Sequence, residues 1–131
     1  MKVGIYPGSF NPWHMGHEDV LQKASKVFDK IIIAKYGDTF KRGVLSAGIL
    51  CEVEEICFKD KLLVDLATEY NVDAVIRGLR NGNDLQYEMN QQYWNEDLGL
   101  YIPTVYFITD RKLSHISSSA IREIQCIKEK Q

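Results

Sequence analysis

Short apolar runs alternate along the chain with segments in which apolar residues recur every three or four positions. Residues 3–6 (VGIY), 31–34 (IIIA), 74–76 (AVI) and 105–108 (VYFI) are rich in β-branched or aromatic side chains and have the length of a buried strand; residues 53–58 (VEEICF) form a weaker fifth. Between them Val20, Leu21, Ala24, Val27 and Phe28 make one helical stripe, and Leu62, Leu63, Leu66, Ala67 and Tyr70 another. Residues 84–98 are helical by composition, with Leu85, Met89 and Tyr93 four apart, although the glutamines blur the apolar face. A last helix is expected through Ala120, Ile121, Ile124 and Ile127, capped by a serine of "ISSSAIRE". Strands that alternate with helices imply right-handed crossovers and parallel pairing. The expectation is an α/β fold: a single Rossmann-like domain over residues 1–131, with a mostly parallel sheet of about five strands and helices on both faces.

Composition narrows the class. With 45% hydrophobic and 26% charged residues the chain reads as an ordinary globular protein, and 131 residues bury one core. A formal net charge of −2 gives no global positive field for nucleic acid, so any anionic ligand must be held by a local cluster. The N-terminus lacks a signal-peptide core and no apolar run reaches the roughly 18 residues of a membrane span, so a cytoplasmic protein without a membrane partner is expected. Cys51, Cys57 and Cys126 have no C-x-x-C spacing and read as idle or buried thiols.

In an open parallel sheet, ligands sit beyond the carboxyl ends of the strands. Those ends fall at "GSFNPWHMGH", "KYGDTFKRG", "RGLRNGND" and "TDRKLSHISSS". Lys41, Arg42, Arg77, Arg80, Arg111 and Lys112 lie in these loops, and cations converging from separate loops would make a polyanion site. Gly8 and Ser9 leave the first strand where backbone N–H groups can approach phosphate. Gly16 and His17 open the next helix, whose N-terminus favours an anion. His14 and His17 are three apart and on helical geometry share a face; lacking a third ligand, they suit hydrogen bonds to phosphate better than a metal.

Three of these segments also carry a family resemblance. "YPGSFNPWHMGH" resembles the H-x-G-H signature of the nucleotidylyltransferase superfamily, and "ISSSAIRE" its second signature, I-S-S-[ST]-x-x-R. "VIRGLRNGNDLQYEMNQQ" is similar to the I-R-G-L-R...D-x-x-Y-E stretch of bacterial phosphopantetheine adenylyltransferases, and "LLVDLA" matches that family too. The resemblance implies transfer of AMP from ATP to 4'-phosphopantetheine, giving dephospho-coenzyme A and pyrophosphate, with Mg²⁺ carried by ATP. It implies that Ser9 and Phe10 touch ATP, with Ser9 also near the acceptor phosphate. His17 would stabilise the transition state at the α-phosphate, with His14 supporting the triphosphate; Lys41 and Arg77 would bind the acceptor, and Leu63 would line its pantetheine arm. Gly78, Leu79, Arg80 and Glu88 match the ATP side, as do Leu113, Ser114, His115, Ile116, Ser117, Ser118 and Ser119.

The chain departs from that family in four places. Residues 44–58 leave room for about one turn plus a strand where the family has a full helix, and the chain ends about one helix short. The resemblance implies a homo-oligomer, with the family's hexamer put in question by the lost packing surface. Within the motifs, Trp13 precedes the first histidine and Leu113 stands where an aromatic is common. Two other readings remain open: an adenylyltransferase acting on nicotinamide mononucleotide or another phosphate acceptor, and a nucleotide-binding protein without catalysis.

Overall fold

Three consecutive isoleucines show why the strand runs read as continuous rather than alternating. Ile31, Ile32 and Ile33 are each at most 1% exposed, because the strand that carries them is covered on both faces. Burial of each such side chain contributes about 1.5–3 kcal/mol. The computed structural model describes residues 1–40, 42 and 48–110. Its elements are β1 (Val3–Gly8), α1 (Met15–Ala24), β2 (Lys30–Tyr36), β3 (Glu52–Phe58), α2 (Leu63–Glu69), β4 (Ala74–Leu79), α3 (Gly82–Asp97) and β5 (Thr104–Ile108). The strands form one sheet in the order β3-β2-β1-β4-β5, and every pairing is parallel.

Side-chain alternation sorts the core into two layers. Tyr6, Ile31, Ile33 and Ile76 pack with Val20, Leu21 and Ala24 of α1. Ile5, Ile32, Ala34 and Val75 pack with Leu66 and Ala67 of α2 on the opposite face. The expected α/β sheet with helices on both faces is therefore present. The weak fifth run is a full strand, β3, at a sheet edge; its glutamates sit where an edge strand tolerates charge, and Glu54 pairs with Lys30 of β2 at 3.0 Å.

Two helical stripes need correction. α1 ends at Ala24, so Val27 falls beyond it and is 51% exposed while Phe28 turns back into the core. In α3 the stripe Leu85, Met89, Tyr93 is exposed, and the buried residue is Glu88. The helix begins two residues before the expected 84–98, ends at Asp97 with Leu98 as its C-cap, and presents a carboxylate inward. Its chain reversal uses Gly99 at φ +97°, the left-handed conformation that closes a helix without a Cβ penalty. Among the described residues no helix separates β2 from β3, and none is long and apolar enough to cross a membrane. The expected helix from Ala120 and Cys126 lie outside the described residues.

Candidate active site

From β1 the chain runs through β2 to β3 on one side of the sheet, while β4 and β5 lie on the other. The carboxyl ends of β1 and β4 are thus the topological switch point, where open α/β sheets leave a crevice. A cavity of about 550 Å³ occupies it, lined by the loop after β1, the first turn of α1 and the end of β4.

The two histidines are arranged by helix capping. His14 is the N-cap of α1, with extended backbone (φ −138°, ψ −179°), and its Nδ1 accepts the Gly16 N–H at 3.1 Å. His17, one helical turn on, accepts the His14 N–H on its own Nδ1 at 3.1 Å. The imidazoles stack with centroids 3.7 Å apart. The residues do share a face, but helical spacing is not the cause, since His14 lies outside the helix. Because each Nδ1 accepts a hydrogen bond, each neutral ring carries its proton on Nε2 and can donate from there. Burial, followed by the neighbouring His14, Arg77 and Arg80, lowers the His17 pKa to about 3. Burial and Arg80 lower that of His14 as well. Both rings are neutral donors near pH 7.

Two glycines make room for aromatic rings. A Cβ on Gly8 would lie 2.8 Å from the Phe10 ring, and one on Gly16 would lie 2.9 Å from the His14 ring. Phe10 itself adopts φ +41° and is 5% exposed, with its ring edge-on to His17 at 4.9 Å.

Arg77, on β4, and Glu88, on α3, form a two-pronged ion pair: Nε to Oε2 at 2.9 Å and Nη2 to Oε1 at 2.7 Å. Arg77 Nη1 also donates to the Pro7 carbonyl at 2.8 Å. Burial opposes the guanidinium charge, but the hydrogen bonds and charge of Glu88 outweigh it and hold the Arg77 pKa above its ordinary value. This pair explains the inward carboxylate of α3. Three of the five guanidinium N–H donors are engaged in these bonds, which leaves two for a ligand. Arg80 donates from its backbone N, Nε and Nη2 to Asp84, at 2.9, 3.1 and 3.3 Å. Burial would raise the Asp84 pKa, but Arg80 lowers it below the ordinary carboxylate value.

A second cavity, of about 510 Å³, adjoins the first and shares Gly8, Ser9, Arg77, Tyr87 and Glu88 with it. Its remaining wall includes the apolar side chains of Phe58, Leu63 and Val75. Of the residues expected at the site, Gly8, Ser9, Phe10, His14, His17, Gly78, Arg80 and Glu88 line the first cavity. Leu63 lines the second and Arg77 lines both. Leu79 closes β4 and is not among the residues lining either.

Arg42 is a correction to the expected polyanion cluster. Its side chain is 3% exposed and bound to Glu18 and Glu55 at 3.1 and 2.7 Å, so its charge is already met. Lys41, Arg111, Lys112 and the run from Leu113 to Ser119 lie outside the described residues. Asp84, Tyr87 and Thr109 line the first cavity without having been singled out, although Asp84 and Tyr87 stand inside the D-x-x-Y-E stretch. Among the described residues no group of three or more His, Cys, Asp or Glu is placed to hold a metal ion.

Comparison with known proteins places this geometry in a family. The cytidylyltransferase-like family profile matches residues 5–124. A phosphopantetheine adenylyltransferase of Streptococcus pneumoniae is 36% identical over 134 aligned positions, covering 94% of this chain and 83% of the relative. The chain belongs to the phosphopantetheine adenylyltransferase family. The enzyme of that name from Streptococcus mutans is 35% identical, covering 94% of this chain and 81% of its own length. A solved structure of a lipopolysaccharide core biosynthesis protein from Thermoplasma volcanium superposes with a TM-score of 0.57 at 16% identity, covering 84% of this chain and 98% of that one, which speaks to the fold alone. As a phosphopantetheine adenylyltransferase family member the chain is a nucleotidyltransferase.

Proposed function

We propose that this protein transfers AMP from ATP to 4'-phosphopantetheine, releasing pyrophosphate and giving dephospho-coenzyme A, as a single nucleotidylyltransferase domain over residues 1–131. The observation that carries the reading is the pair of cavities joined at Ser9 and Arg77. The first, with His14, His17 and Arg80, suits a nucleoside triphosphate; the second, with Leu63 and Phe58, suits the partly apolar pantetheine arm. The two phosphates then meet at the shared wall, with Lys41 assigned to the acceptor and residues 113–119 to the nucleotide on the strength of the family motifs.

The chemistry asks for charge control more than for a base. Two unit charges 4 Å apart repel by about 4 kcal/mol at an effective dielectric near 20. The acceptor phosphate is already a nucleophile, so no side chain needs to take a proton from it. Arg77 uses its two remaining N–H donors on phosphate oxygens, and His17 donates from Nε2 to the α-phosphate as charge moves toward pyrophosphate. Fixing both phosphates in line contributes about 7–11 kcal/mol in well-oriented reactions. Mg²⁺ enters as part of the substrate, Mg-ATP. The same reading carries a cytoplasmic setting and a homo-oligomer, and sedimentation velocity tests the oligomer.

The deciding experiment is pyrophosphate release from Mg-ATP with 4'-phosphopantetheine and with nicotinamide mononucleotide offered separately. Release with phosphopantetheine alone is expected. Release with the mononucleotide alone overturns the acceptor, and silence with both overturns catalysis.

A further inference from the structure

Trp13 leads into the first histidine, and the mechanism above gives it no part. Its ring lies 4.9 Å from Phe10, 5.1 Å from His17 and 5.9 Å from Phe40. The indole Nε1–H donates to Glu18 Oε1 at 3.0 Å, which fixes the ring's orientation. The same Glu18 oxygen accepts from Arg42 Nη1 at 3.1 Å, and Arg42 Nε donates to Glu55 of β3 at 2.7 Å. The Arg42 guanidinium carbon lies 5.7 Å from the indole ring, within cation–π range. Phe40 and Arg42, both from the loop that leaves β2, therefore rest on one indole that also touches His17.

Among the described residues one arginine here meets two carboxylates, so the Arg42 charge is engaged in holding the loop rather than offered to a ligand. The side-chain type matters. Tryptophan offers a π-face to the guanidinium and an N–H to Glu18; phenylalanine keeps only the face, and leucine keeps neither. We propose that Trp13 is a positioning residue: through Phe40 and Arg42 it holds the loop after β2 against the first turn of α1, and so sets the acceptor side of the site in register with His17. This rests on the proposed function, in which Lys41, between Phe40 and Arg42 in the sequence, meets the acceptor phosphate.

The test is steady-state kinetics on the full chain carrying Trp13→Leu, Trp13→Phe, Arg42→Gln or Trp13→Leu with Arg42→Gln, varying each substrate in turn, with the melting temperature of each variant. Trp13→Leu and Arg42→Gln are each expected to raise the acceptor KM by about tenfold while the ATP KM moves less than about twofold, and the double variant should be no worse than the worse single, because one device is broken once. Trp13→Phe should fall between. Acceptor and ATP KM rising together, or effects of the two single changes that multiply, would overturn the inference. If Trp13→Leu does not fold, Trp13→Phe and Arg42→Gln decide on the same criteria. A wild-type chain without turnover on 4'-phosphopantetheine would overturn the proposed function itself, and that result is read before any variant is compared.

Discussion

Glu88→Gln separates two roles for the one buried residue of α3. The resemblance puts Glu88 on the ATP side, whereas its carboxylate is engaged by both prongs of Arg77 and is 8% exposed. Removing one partner of a buried pair costs about 3–5 kcal/mol, since the other charge is left uncompensated. The Arg77 side chain is 29% exposed, so water screens part of that cost, and about 2–3 kcal/mol is the expected loss. For a chain of this size each kcal/mol lowers the melting temperature by about 4 °C, which gives a fall of roughly 8–12 °C. The change should also let Arg77 turn away from the shared wall of the two cavities. Loss of one charge-assisted hydrogen bond, about 1.5–3 kcal/mol, would raise the acceptor KM at least about tenfold. The ATP KM should move much less. Thermal unfolding and two-substrate kinetics on Glu88→Gln, with Arg77→Met combined with Glu88→Leu as control, make the measurement. The control removes both charges and should unfold nearer the wild-type temperature than Glu88→Gln does, while losing activity. A Glu88→Gln melting temperature within about 2 °C of wild type, or an ATP KM that rises more than the acceptor KM, would refute the assignment of Glu88 to Arg77.

His17→Ala should lower turnover by about 10²–10³ while ATP binding, read by calorimetry, persists; unchanged turnover would remove the transition-state role. The His17 pKa near 3 predicts that its ring resonances in the folded protein do not titrate between pH 8 and pH 5, and an NMR midpoint near 6.5 would contradict the neutral donor. Its folded value lies below the unfolded value of about 6.5, so between these the unfolded chain binds more protons: stability is full above pH 6.5 and falls as pH drops toward 3, by up to about 1.4 kcal/mol per unit. Gly78→Ala puts a Cβ 2.7 Å from Val20 Cγ2 between β4 and α1, and should cost about 1–3 kcal/mol in denaturant unfolding by overpacking; a smaller effect would mean that α1 can shift.

Most of the fold was legible because burial on both faces of a parallel sheet leaves a mark that needs no partner to interpret. Ile31 to Ala34 fits a buried strand and is covered on both faces, and the four short runs give β1, β2, β4 and β5. What failed to show was set by distant contacts. Val27 has the right spacing for α1 but follows its last turn, where the Ser25 hydroxyl donates to the Gln22 carbonyl and accepts the Leu50 N–H. Leu85, Met89 and Tyr93 have the spacing of a core stripe, yet the position that faces inward is Glu88, because Arg77 waits there eleven residues upstream. Periodicity finds apolar stripes and is blind to a charge whose partner comes from another element.

The same limit shaped the site. Residue types announced phosphate chemistry at the strand ends, but pairing decided what each cation can do. Arg42, Arg77 and Arg80 each meet a carboxylate: Glu18 and Glu55, Glu88, and Asp84. Among the described residues the crevice is therefore no bare positive patch, since the charges of Arg77 and Arg80 are matched by carboxylates. That arrangement sacrifices raw attraction for fixed donors, which fits a reaction whose barrier lies in holding two phosphates in line. Burial first, and the neighbouring charges after it, keep the histidines neutral. A protonated pair would have to repel each other across a 3.7 Å stack and face Arg77 and Arg80 as well, whereas two Nε2–H donors bring hydrogen bonds without that cost. The glycines on either side complete the device, since Gly8 admits the Phe10 ring and Gly16 the His14 ring, and those rings help keep the histidines out of water.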